Sequence, residues 1–217
     1  NRDGMQDFFI TSGTTSSYAR SNNGIVYILF GKQSLQVSKS PTILPTYKPS
    51  AAPSVAPTRS TGSDISLSGF QSGVDGLMFA GESASGYFGS AANPIGDFNG
   101  DSYTDFVMAT PYLNSPGMSS RGAVYVLFGK ASGTGYPVTD MRNFTTTPGA
   151  GFAIYGVAPS DRVGRTVTSA GDMNGDGIGD MAVQVMYVSS QRRGTVFVIY
   201  GTRTPLPASM NMSTFAT

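Results

Sequence analysis

The sequence predicts an all-β chain organised as a partial β-propeller, with about three blades of four antiparallel strands each. Three runs rich in β-branched and aromatic residues end in glycine: GIVYILFGK from Gly24, GAVYVLFGK from Gly122 and GTVFVIYG from Gly194. A stretch rich in Asp, Asn and Gly precedes each run at a similar distance. Short strands that recur with glycine and aromatic residues are typical of propeller blades.

The repeats predict the following elements. In the second repeat we expect strands at 88–95, 105–110, 122–128 and 152–156, and in the third at 164–170, 180–186 and 194–200. The chain then divides into a truncated first repeat at 1–37, a second at 63–136 and an incomplete third at 137–217. Because blades bury their faces against one another, further blades or partner chains are expected to complete the ring.

A proline-rich insertion at 38–62 separates the first two repeats. Its prolines recur every four residues, at Pro41, Pro45, Pro49, Pro53 and Pro57, and Ser or Thr follows most of them. Such a segment favours an extended polyproline II conformation and builds no core. We expect a solvated insertion in a surface loop. The alternatives are an arm that lies on a neighbouring chain and a glycosylated stalk.

The composition excludes several classes of function. The chain has no Cys, His or Trp, so Ser–His–Asp and Cys–His catalysis, disulfides and His- or Cys-based zinc sites are excluded within it. Only 12% of residues are charged and the net charge is +1, which gives no electrostatic footprint for nucleic acid. No apolar run approaches the 18 or so residues of a membrane span.

The acidic motifs predict calcium sites. DFNGDSYTD begins at Asp97, DMNGDGIGD begins at Asp172, and the opening NRDGMQD aligns with the second half of both. Eight of the 13 acidic residues lie in these stretches, and the two complete loops contain no Lys or Arg. The candidate ligands are the side chains of Asp97, Asn99, Asp101 and Asp105 with the carbonyl of Tyr103; those of Asp172, Asn174, Asp176 and Asp180 with the carbonyl of Ile178; and, in the partial loop, Asn1, Asp3, the carbonyl of Met5, and Asp7.

Calcium fits these loops better than other cations do. Ca²⁺ takes six to eight oxygen ligands in flexible geometry, whereas Mg²⁺ resists dehydration and transition metals prefer softer ligands. An EF-hand is excluded, because its twelfth position needs Glu and here holds Met108 or Val183, both in predicted strands. The alternative is a set of Asx turns without metal, since Asp, Asn and Gly favour turns by themselves.

These motifs together resemble the FG-GAP repeats of the integrin α-chain β-propeller and of its relatives in microbes and algae. The resemblance rests on Phe88–Gly89 and the degenerate Val163–Gly164, on GDFNGDSYTD and GDMNGDGIGD, and on the strands that follow. The family's Gly-Ala-Pro becomes Ala109-Thr110-Pro111 in the second repeat and is lost in the third. The resemblance implies a seven-bladed propeller, structural calcium in the blade loops, and a location outside the cell, at its surface or in the secretory lumen.

Two functions follow as hypotheses. The first is a non-catalytic extracellular calcium-binding module for protein or glycan interaction, cell adhesion or surface assembly. The second is the accessory propeller of a secreted or surface hydrolase that acts on phospholipids or glycans, with its catalytic part elsewhere. Glu82, the one glutamate, is interpreted as a loop residue, and Asp64, Asp75, Asp140 and Asp161 show no acid/base spacing.

Two further expectations concern the surface and the core. The triplets that begin at Asn143 and Asn211 are candidate N-glycosylation sites. The strand aromatics are expected in the blade core rather than in a ligand platform: Phe8, Phe9, Tyr27, Phe30, Phe106, Tyr125, Phe128, Phe197 and Tyr200.

Overall fold

The computed structural model describes residues 8–12, 24–30, 76–131, 140–187 and 194–215. The partial acidic motif at 1–7 and the proline-rich insertion at 38–62 lie outside the described residues. The expectations for those two segments therefore stay predictions.

Within the described residues, eleven strands form three sheets. The first sheet contains β1 (Phe8–Ser12), β2 (Ile25–Leu29) and β3 (Gly76–Ala80). The second contains β4 (Ala92–Gly96), β5 (Asp105–Thr110), β6 (Ala123–Leu127), β7 (Gly151–Tyr155) and, from late in the chain, β11 (Ser209–Asn211). The third contains β8 (Val167–Gly171), β9 (Asp180–Val185) and β10 (Thr195–Ile199). Consecutive strands pair antiparallel within each sheet, which confirms the all-β, blade-like prediction.

The observed boundaries differ from the predicted ones at the first strand of each blade. β4 begins at residue 92 and β8 at residue 167, rather than at 88 and 164. The reason is the Phe88–Gly89 and Val163–Gly164 pairs, whose glycines have φ of +81° and +82° and so cannot continue an extended strand. The second sheet also includes β7, which lies beyond residue 136, so this blade crosses the proposed boundary between repeats.

Two hydrophobic cores separate the three sheets. Alternate residues of β5 enter different cores: Met108 packs toward the first sheet, with Val26 and Tyr125, and Val107 packs toward the third, with Val183. All five of these side chains are fully buried. Because β5 and β6 are covered on both faces, their sequences are nearly continuous runs of apolar residues and do not alternate between apolar and polar ones.

Tyr125 brings a polar group into the first core. Its ring lies edge-on to Phe144, with the ring centroids 5.4 Å apart, and its hydroxyl donates a 2.5 Å hydrogen bond to Glu82 Oε1. Glu82 therefore lies in a loop, as predicted, but it also satisfies a buried hydroxyl, which a tyrosine needs inside a core.

Among the strand aromatics whose side chains the structure describes, Tyr200 does not follow the expectation of a core position. The side chains of Phe8 and Phe9 lie outside the described part. Tyr200 is 55% exposed, and Val196 and Val198 beside it are also exposed. The prediction was wrong for Tyr200 because no further sheet among the described residues covers the face of the third sheet on which Val196, Val198 and Tyr200 lie. The equivalent residues of β6 are instead covered by the third sheet.

Glycine lets neighbouring blades approach through their backbones. Gly122 has a φ of +74°, and a Cβ placed there would lie 2.5 Å from the backbone nitrogen and oxygen of Val163. Gly24 has a φ of +77° and faces the backbone of Phe88 in the same way. The same contact thus joins the first blade to the second and the second to the third.

The glycine of each Phe-Gly or Val-Gly pair packs on the preceding blade. A Cβ on Gly89 would lie 2.7 Å from Val26 Cγ2, and one on Gly164 would lie 2.8 Å from Val124 Cγ2. Val26 and Val124 occupy the same place in their strands. The motif therefore acts as a blade-to-blade contact.

The outer edge of the second sheet is covered by a late segment of the chain. β11 (Ser209–Asn211) pairs parallel with β7, and a 3₁₀ helix (Met212–Phe215) follows it. Earlier, Asp140 forms a parallel bridge to Ala80 at the end of β3, just before the 3₁₀ helix Met141–Thr146. A returning segment of this kind gives backbone partners to a strand edge that would otherwise be unpaired.

We expect Gly122→Ala to destabilise the fold by more than backbone strain alone, because the new methyl group meets the backbone of Val163. Gly117 is the matched control, since it has the same φ of +74° and no atom lies within 4 Å of the place that a Cβ would occupy there. Urea unfolding should show Gly122→Ala losing about 1–3 kcal/mol more than Gly117→Ala. Equal losses in the two variants would contradict the close contact between blades.

Candidate functional site

The two complete acidic loops lie at equivalent places in adjacent blades. The loop at 97–105 connects β4 to β5, and the loop at 172–180 connects β8 to β9. A β-bulge precedes each loop, where Gly96 pairs with Asp105 and Gly171 pairs with Asp180. These two glycines have φ of +78° and +76°. The sequence repeat therefore corresponds to a repeated backbone conformation.

The last aspartate of the second-repeat loop is buried and holds the loop by accepting backbone hydrogen bonds. Asp105 is fully buried, and its Oδ2 accepts hydrogen bonds from the N–H groups of Phe98 at 2.8 Å and Asn99 at 3.2 Å. Its Oδ1 accepts from the N–H of Gly129 at 2.7 Å. One carboxylate thus joins the start of the loop to the chain just beyond β6.

Asp180 repeats this arrangement in the third blade. It is also fully buried, and it accepts from the N–H of Met173 at 2.7 Å and of Gly201 at 2.9 Å. Gly129 and Gly201 each lie two residues after the end of the preceding strand. These two glycines were not predicted as part of the site. The signal that could have found them is the glycine that ends each repeated strand motif.

The first three polar positions of the second-repeat loop form a chain of Asx turns. Asp97 accepts from the N–H groups of Asp101 at 2.9 Å and Ser102 at 2.7 Å. The Asn99 amide donates to Asp101 Oδ2 at 2.9 Å, and Asp101 Oδ1 accepts from the N–H of Tyr103 at 2.8 Å. The loop is therefore wrapped around its own side-chain oxygens, as short polar side chains favour.

The third-repeat loop has the same pattern of hydrogen bonds. Asp172 accepts from the N–H groups of Gly175, Asp176 and Gly177 at 2.8, 3.0 and 2.9 Å. The Asn174 amide donates to Asp176 Oδ2 at 2.8 Å, and Asp176 Oδ1 accepts from the N–H of Ile178 at 2.8 Å. All ten predicted residues of the two complete loops, five in each, lie within the described residues, and their role as metal ligands stays a prediction. Asn1, Asp3, Met5 and Asp7 lie outside the described residues.

The two loops are in backbone contact with each other. The N–H of Gly179 donates to the carbonyl of Asp97 at 2.8 Å, and the N–H of Thr202 donates to that of Phe98 at 2.9 Å. Arg203 extends alongside Gly100, so a cation from the third repeat lies beside a loop that contains none of its own. The second-repeat loop is therefore braced by the blade that follows it.

The donor chemistry of the loops fits a hard cation, since carboxylate, amide and carbonyl oxygens are the groups that Ca²⁺ prefers. Within the ranges that the structure describes, no three acidic side chains converge as they would around a metal ion. Their oxygens instead accept the loop N–H groups. A carboxylate has about four lone-pair positions, and the hydrogen bonds of each loop aspartate use two or three of them, so acceptor capacity remains for a cation. Calcium in the loops stays a prediction.

Burial raises the pKa of Asp105 from 3.8 to about 7, against the opposing effect of the N–H groups that Gly129, Phe98 and Asn99 donate. The nearby charge of Asp101 raises it further. A carboxyl that resists ionisation in the metal-free loop is one that a bound cation would ionise, because a positive charge nearby favours the charged form.

The other described carboxylates have local structural partners. Asp140 forms an ion pair with Arg142, with 2.6 Å between Oδ2 and the guanidinium, and it caps the 3₁₀ helix at Met141–Thr146. Asp161 accepts from the N–H groups of Val157 and Ala158, both at 2.8 Å. Asp64 and Asp75 lie outside the described residues.

The two candidate glycosylation asparagines are both exposed. Asn143 lies in the first 3₁₀ helix, where its carbonyl accepts from the hydroxyls of Thr146 and Thr147. Asn211 ends β11, and its Oδ1 accepts from Arg121 at 3.2 Å. Their glycosylation stays a prediction. No helix in the described part of the chain has the length and hydropathy needed to cross a membrane.

In metal-free protein we expect the free energy of unfolding to fall as the pH rises from about 4 to 7. In this window folded Asp105 holds a proton that the unfolded chain has released, since its pKa rises from 3.8 to about 7. The total change is at most about 4 kcal/mol. A ¹³C NMR titration of the Asp105 carboxyl, assigned with Asp105→Asn, tests this directly. A pKa at or below about 4 would mean that the N–H bonds outweigh burial.

The comparisons with known proteins agree with these repeats. The FG-GAP repeat family matches residues 88–127, which include the whole loop at 97–105. Integrin alpha-V of Gallus gallus is 31% identical over 134 residues, or 60% of this chain and 12% of that protein. Integrin alpha-PS2 of Drosophila melanogaster is 32% identical over 119 residues, or 53% of this chain and 8% of that protein.

Another protein to which the chain is similar is named as an enzyme. Phosphatidylinositol-glycan-specific phospholipase D of Bos taurus is 33% identical over 110 residues, or 49% of this chain and 12% of that protein. The matched region is about a tenth of the length of each of these relatives. The fold, the repeated loops and the family match agree: residues 88–127 match the FG-GAP repeat family, and the chain is similar over 53–60% of its length to two integrin alpha chains.

Proposed function

We propose that this chain is a non-catalytic, extracellular, calcium-binding β-propeller module that serves protein or glycan interaction, cell adhesion or surface assembly. The observation that carries the proposal is the pair of acidic loops with the same hydrogen-bond pattern at the same place in adjacent blades. Asx turns alone need no third aspartate, whereas each loop concentrates three aspartates and an asparagine within nine residues.

Electrostatics favours a cation in these loops. Asp101 and Asp176 are exposed at the loop tips, and Asp97 and Asp172 lie four residues before them in a tight turn. Like charges held this close repel one another, and a divalent cation offsets the repulsion. We propose that the side chains of both loops hold calcium with the carbonyls of Tyr103 and Ile178. We propose the segment at 1–7 as a third, partial site.

Calcium in this proposal is structural. A cation that binds the folded loops and not the unfolded chain stabilises the fold by mass action. The loops also contact one another through Gly179 and Asp97, so ordering one loop supports the next blade. A rigid module of this kind presents its other loops in a constant geometry, which a recognition surface needs.

The proposed location is outside the cell, at its surface or in the secretory lumen. Extracellular calcium modules work with weak sites because the ion is abundant there. The similarity to integrin alpha chains and the two exposed sequons support the same location. The proposed partners are other protein chains, further blades or a glycan. Nucleic acid is not among them, since the chain has a net charge of +1.

A second candidate function rests on the similarity to phosphatidylinositol-glycan-specific phospholipase D. In that case the chain would be the accessory propeller of a secreted or surface hydrolase, and the catalytic groups would belong to another part of the enzyme. The described carboxylates favour the accessory role over a catalytic one, because Glu82, Asp140 and Asp161 are all engaged in local structural contacts.

Calcium should raise the melting temperature of the purified chain. A site at a hundredfold its Kd adds about 2.7 kcal/mol, which corresponds to roughly 5–10 °C for a chain of this size. Asp101→Asn and Asp176→Asn keep the Oδ1 acceptors for the N–H groups of Tyr103 and Ile178 while each removes one charge. In each variant calcium should raise the melting temperature by much less than in the parent chain, and in the double variant most of this rise should be lost. Differential scanning calorimetry with calcium and with a chelator measures this.

The matched control for these variants is Asp140→Asn, which removes a carboxylate outside the loops. It should lower the melting temperature through the lost pair with Arg142 and leave the calcium increment unchanged. Magnesium and sodium at equal ionic strength control for screening. An unchanged melting temperature with calcium and with excess chelator would overturn the calcium part of the proposal.

The non-catalytic assignment predicts that this chain alone releases no protein from a phosphatidylinositol-glycan anchor. The physical reason is that its described carboxylates are held by backbone and side-chain donors. The measurement is the release of an anchored reporter from vesicles, with heat-denatured chain as the control. Release that depends on the folded chain would contradict the assignment.

A further inference from the structure

A cavity of about 560 Å³ lies at the end of the blades opposite to the acidic loops. β5 begins at the acidic loop with Asp105 and ends at Thr110, and the cavity is formed by the chain just beyond that end. Three segments contribute: the loop before β4, the loop between β5 and β6, and the turn before β8. The lining residues are Ser85, Tyr87, Ser90, Tyr112, Asn114 and Ser120, together with Arg165.

The backbone around this cavity is strained. The described residues include six non-glycine positions with positive φ, and five of them lie in these loops. Ser85, Tyr87 and Ser120 line the cavity, with φ of 58°, 56° and 49°. Ser160 and Arg162 lie in the loop that packs beside it, with φ of 67° and 48°. Unfavourable conformations of this kind persist where the surrounding structure enforces them, and they concentrate at ligand sites.

Two tyrosines give the cavity an aromatic wall. The rings of Tyr87 and Tyr112 have centroids 5.1 Å apart and are tilted by 57°. Arg162 lies 5.1 Å from the centroid of Tyr112, which holds that ring in place, while Tyr87 remains 39% exposed. An exposed tyrosine supplies a rigid apolar surface with a polar tip, which suits a ligand that has both apolar and hydroxyl faces.

Polar groups complete the wall. Asn114 Oδ1 accepts from the N–H of Ser120 at 2.7 Å, which fixes the orientation of the amide and leaves its NH₂ group as the donor for a ligand. Ser85 and Ser90 contribute exposed hydroxyls. Fixed donors beside an aromatic face are the combination that recognises small polar molecules.

The charge of the cavity is positive. Arg165 lines it, and none of the other described residues that line it carries a charge. Arg162 stacks on the ring of Tyr112, and its buried Nε has no hydrogen-bond partner among the described residues. The acidic loops at 97–105 and 172–180 lie at the opposite end of the strands, so they do not neutralise these guanidinium groups.

We propose that this cavity binds an acidic saccharide unit, with a sugar face on Tyr87 and Tyr112 and its carboxylate or sulfate on Arg165. The volume lies in the range of small-ligand pockets, roughly 300–1,000 Å³, whereas a stable protein partner needs a broad surface. The inference rests on the proposed extracellular interaction function and gives it a ligand class and a site. Uronates and sulfated sugars share the anionic chemistry, and experiment distinguishes them.

The test uses the full chain in calcium-containing buffer and isothermal titration calorimetry. The probes are a galacturonate trisaccharide, a sulfated disaccharide, a neutral trisaccharide of similar size, and a short polyglutamate peptide. We expect one of the two acidic sugars to bind at least tenfold more tightly than the neutral one. The acidic sugar that binds identifies the anion as carboxylate or sulfate.

Two variants assign the binding to the cavity. Arg165→Gln removes the exposed charge, and Tyr87→Gly removes the ring while relieving the positive φ, so that variant should fold at least as well as the parent chain. Each should weaken acidic-sugar binding at least tenfold. Arg203→Gln is the matched control, because Arg203 is an exposed arginine beside the acidic loop at the opposite end, and it should leave sugar binding unchanged.

Several results would overturn the saccharide site. The proposal fails if neither acidic sugar binds, or if the neutral sugar binds as tightly as the acidic ones. It also fails if only the peptide binds, or if neither variant weakens the binding of the acidic sugar. Melting temperatures with calcium and with chelator, measured on the same samples, separate this proposal from the calcium function. If calcium raises the melting temperature but no acidic sugar binds, only the saccharide site is contradicted. If an acidic sugar binds but calcium does not change the melting temperature, only the calcium sites are contradicted.

Discussion

The buried aspartate that closes each acidic loop is the interaction on which the rest of the site depends. Asp105 and Asp180 each accept N–H groups from the start of their own loop and from a glycine beyond the following strand. One side chain thereby sets the shape of the loop and the position of the strand that returns beside it. A buried carboxylate is costly unless it is fully hydrogen-bonded, so the loop conformation and the burial of the aspartate require each other.

The same blades present different chemistry at their two ends. The acidic loops join β4 to β5 and β8 to β9, while the cavity with Tyr87, Tyr112 and Arg165 lies where β5 ends. Because strands of a blade are antiparallel, successive connections alternate between the two ends. One end thus carries the loops that we propose to stabilise the fold, and the other carries the loops that we propose to recognise a ligand.

Much of the fold and of the acidic loops could be predicted because both repeat. The strand core at 105–110 and the loop at 97–105 follow from residue types that act locally: β-branched residues in the strand, and Asp, Asn and Gly in the turn. The start of β4 was predicted four residues early, because Gly89 takes a positive φ, which ends the strand, where it approaches Val26 of another blade. The exposure of Tyr200 was missed for the same reason, since burial in a strand depends on what covers it.

The sequence by itself determined the architecture, the register of the repeats and the residues of the acidic loops, since each depends on local preferences or on a period along the chain. Only the tertiary structure decided that the N–H groups of Gly129 and Gly201 bind the last aspartate of each loop, and that Glu82 accepts the hydrogen bond of the Tyr125 hydroxyl. The same holds for the cavity that Tyr87 and Arg165 line. The two aspartate–glycine contacts form within a blade, when its neighbouring strands pair. The other two contacts form where neighbouring blades pack, and that packing is set by backbone approach at glycines such as Gly122.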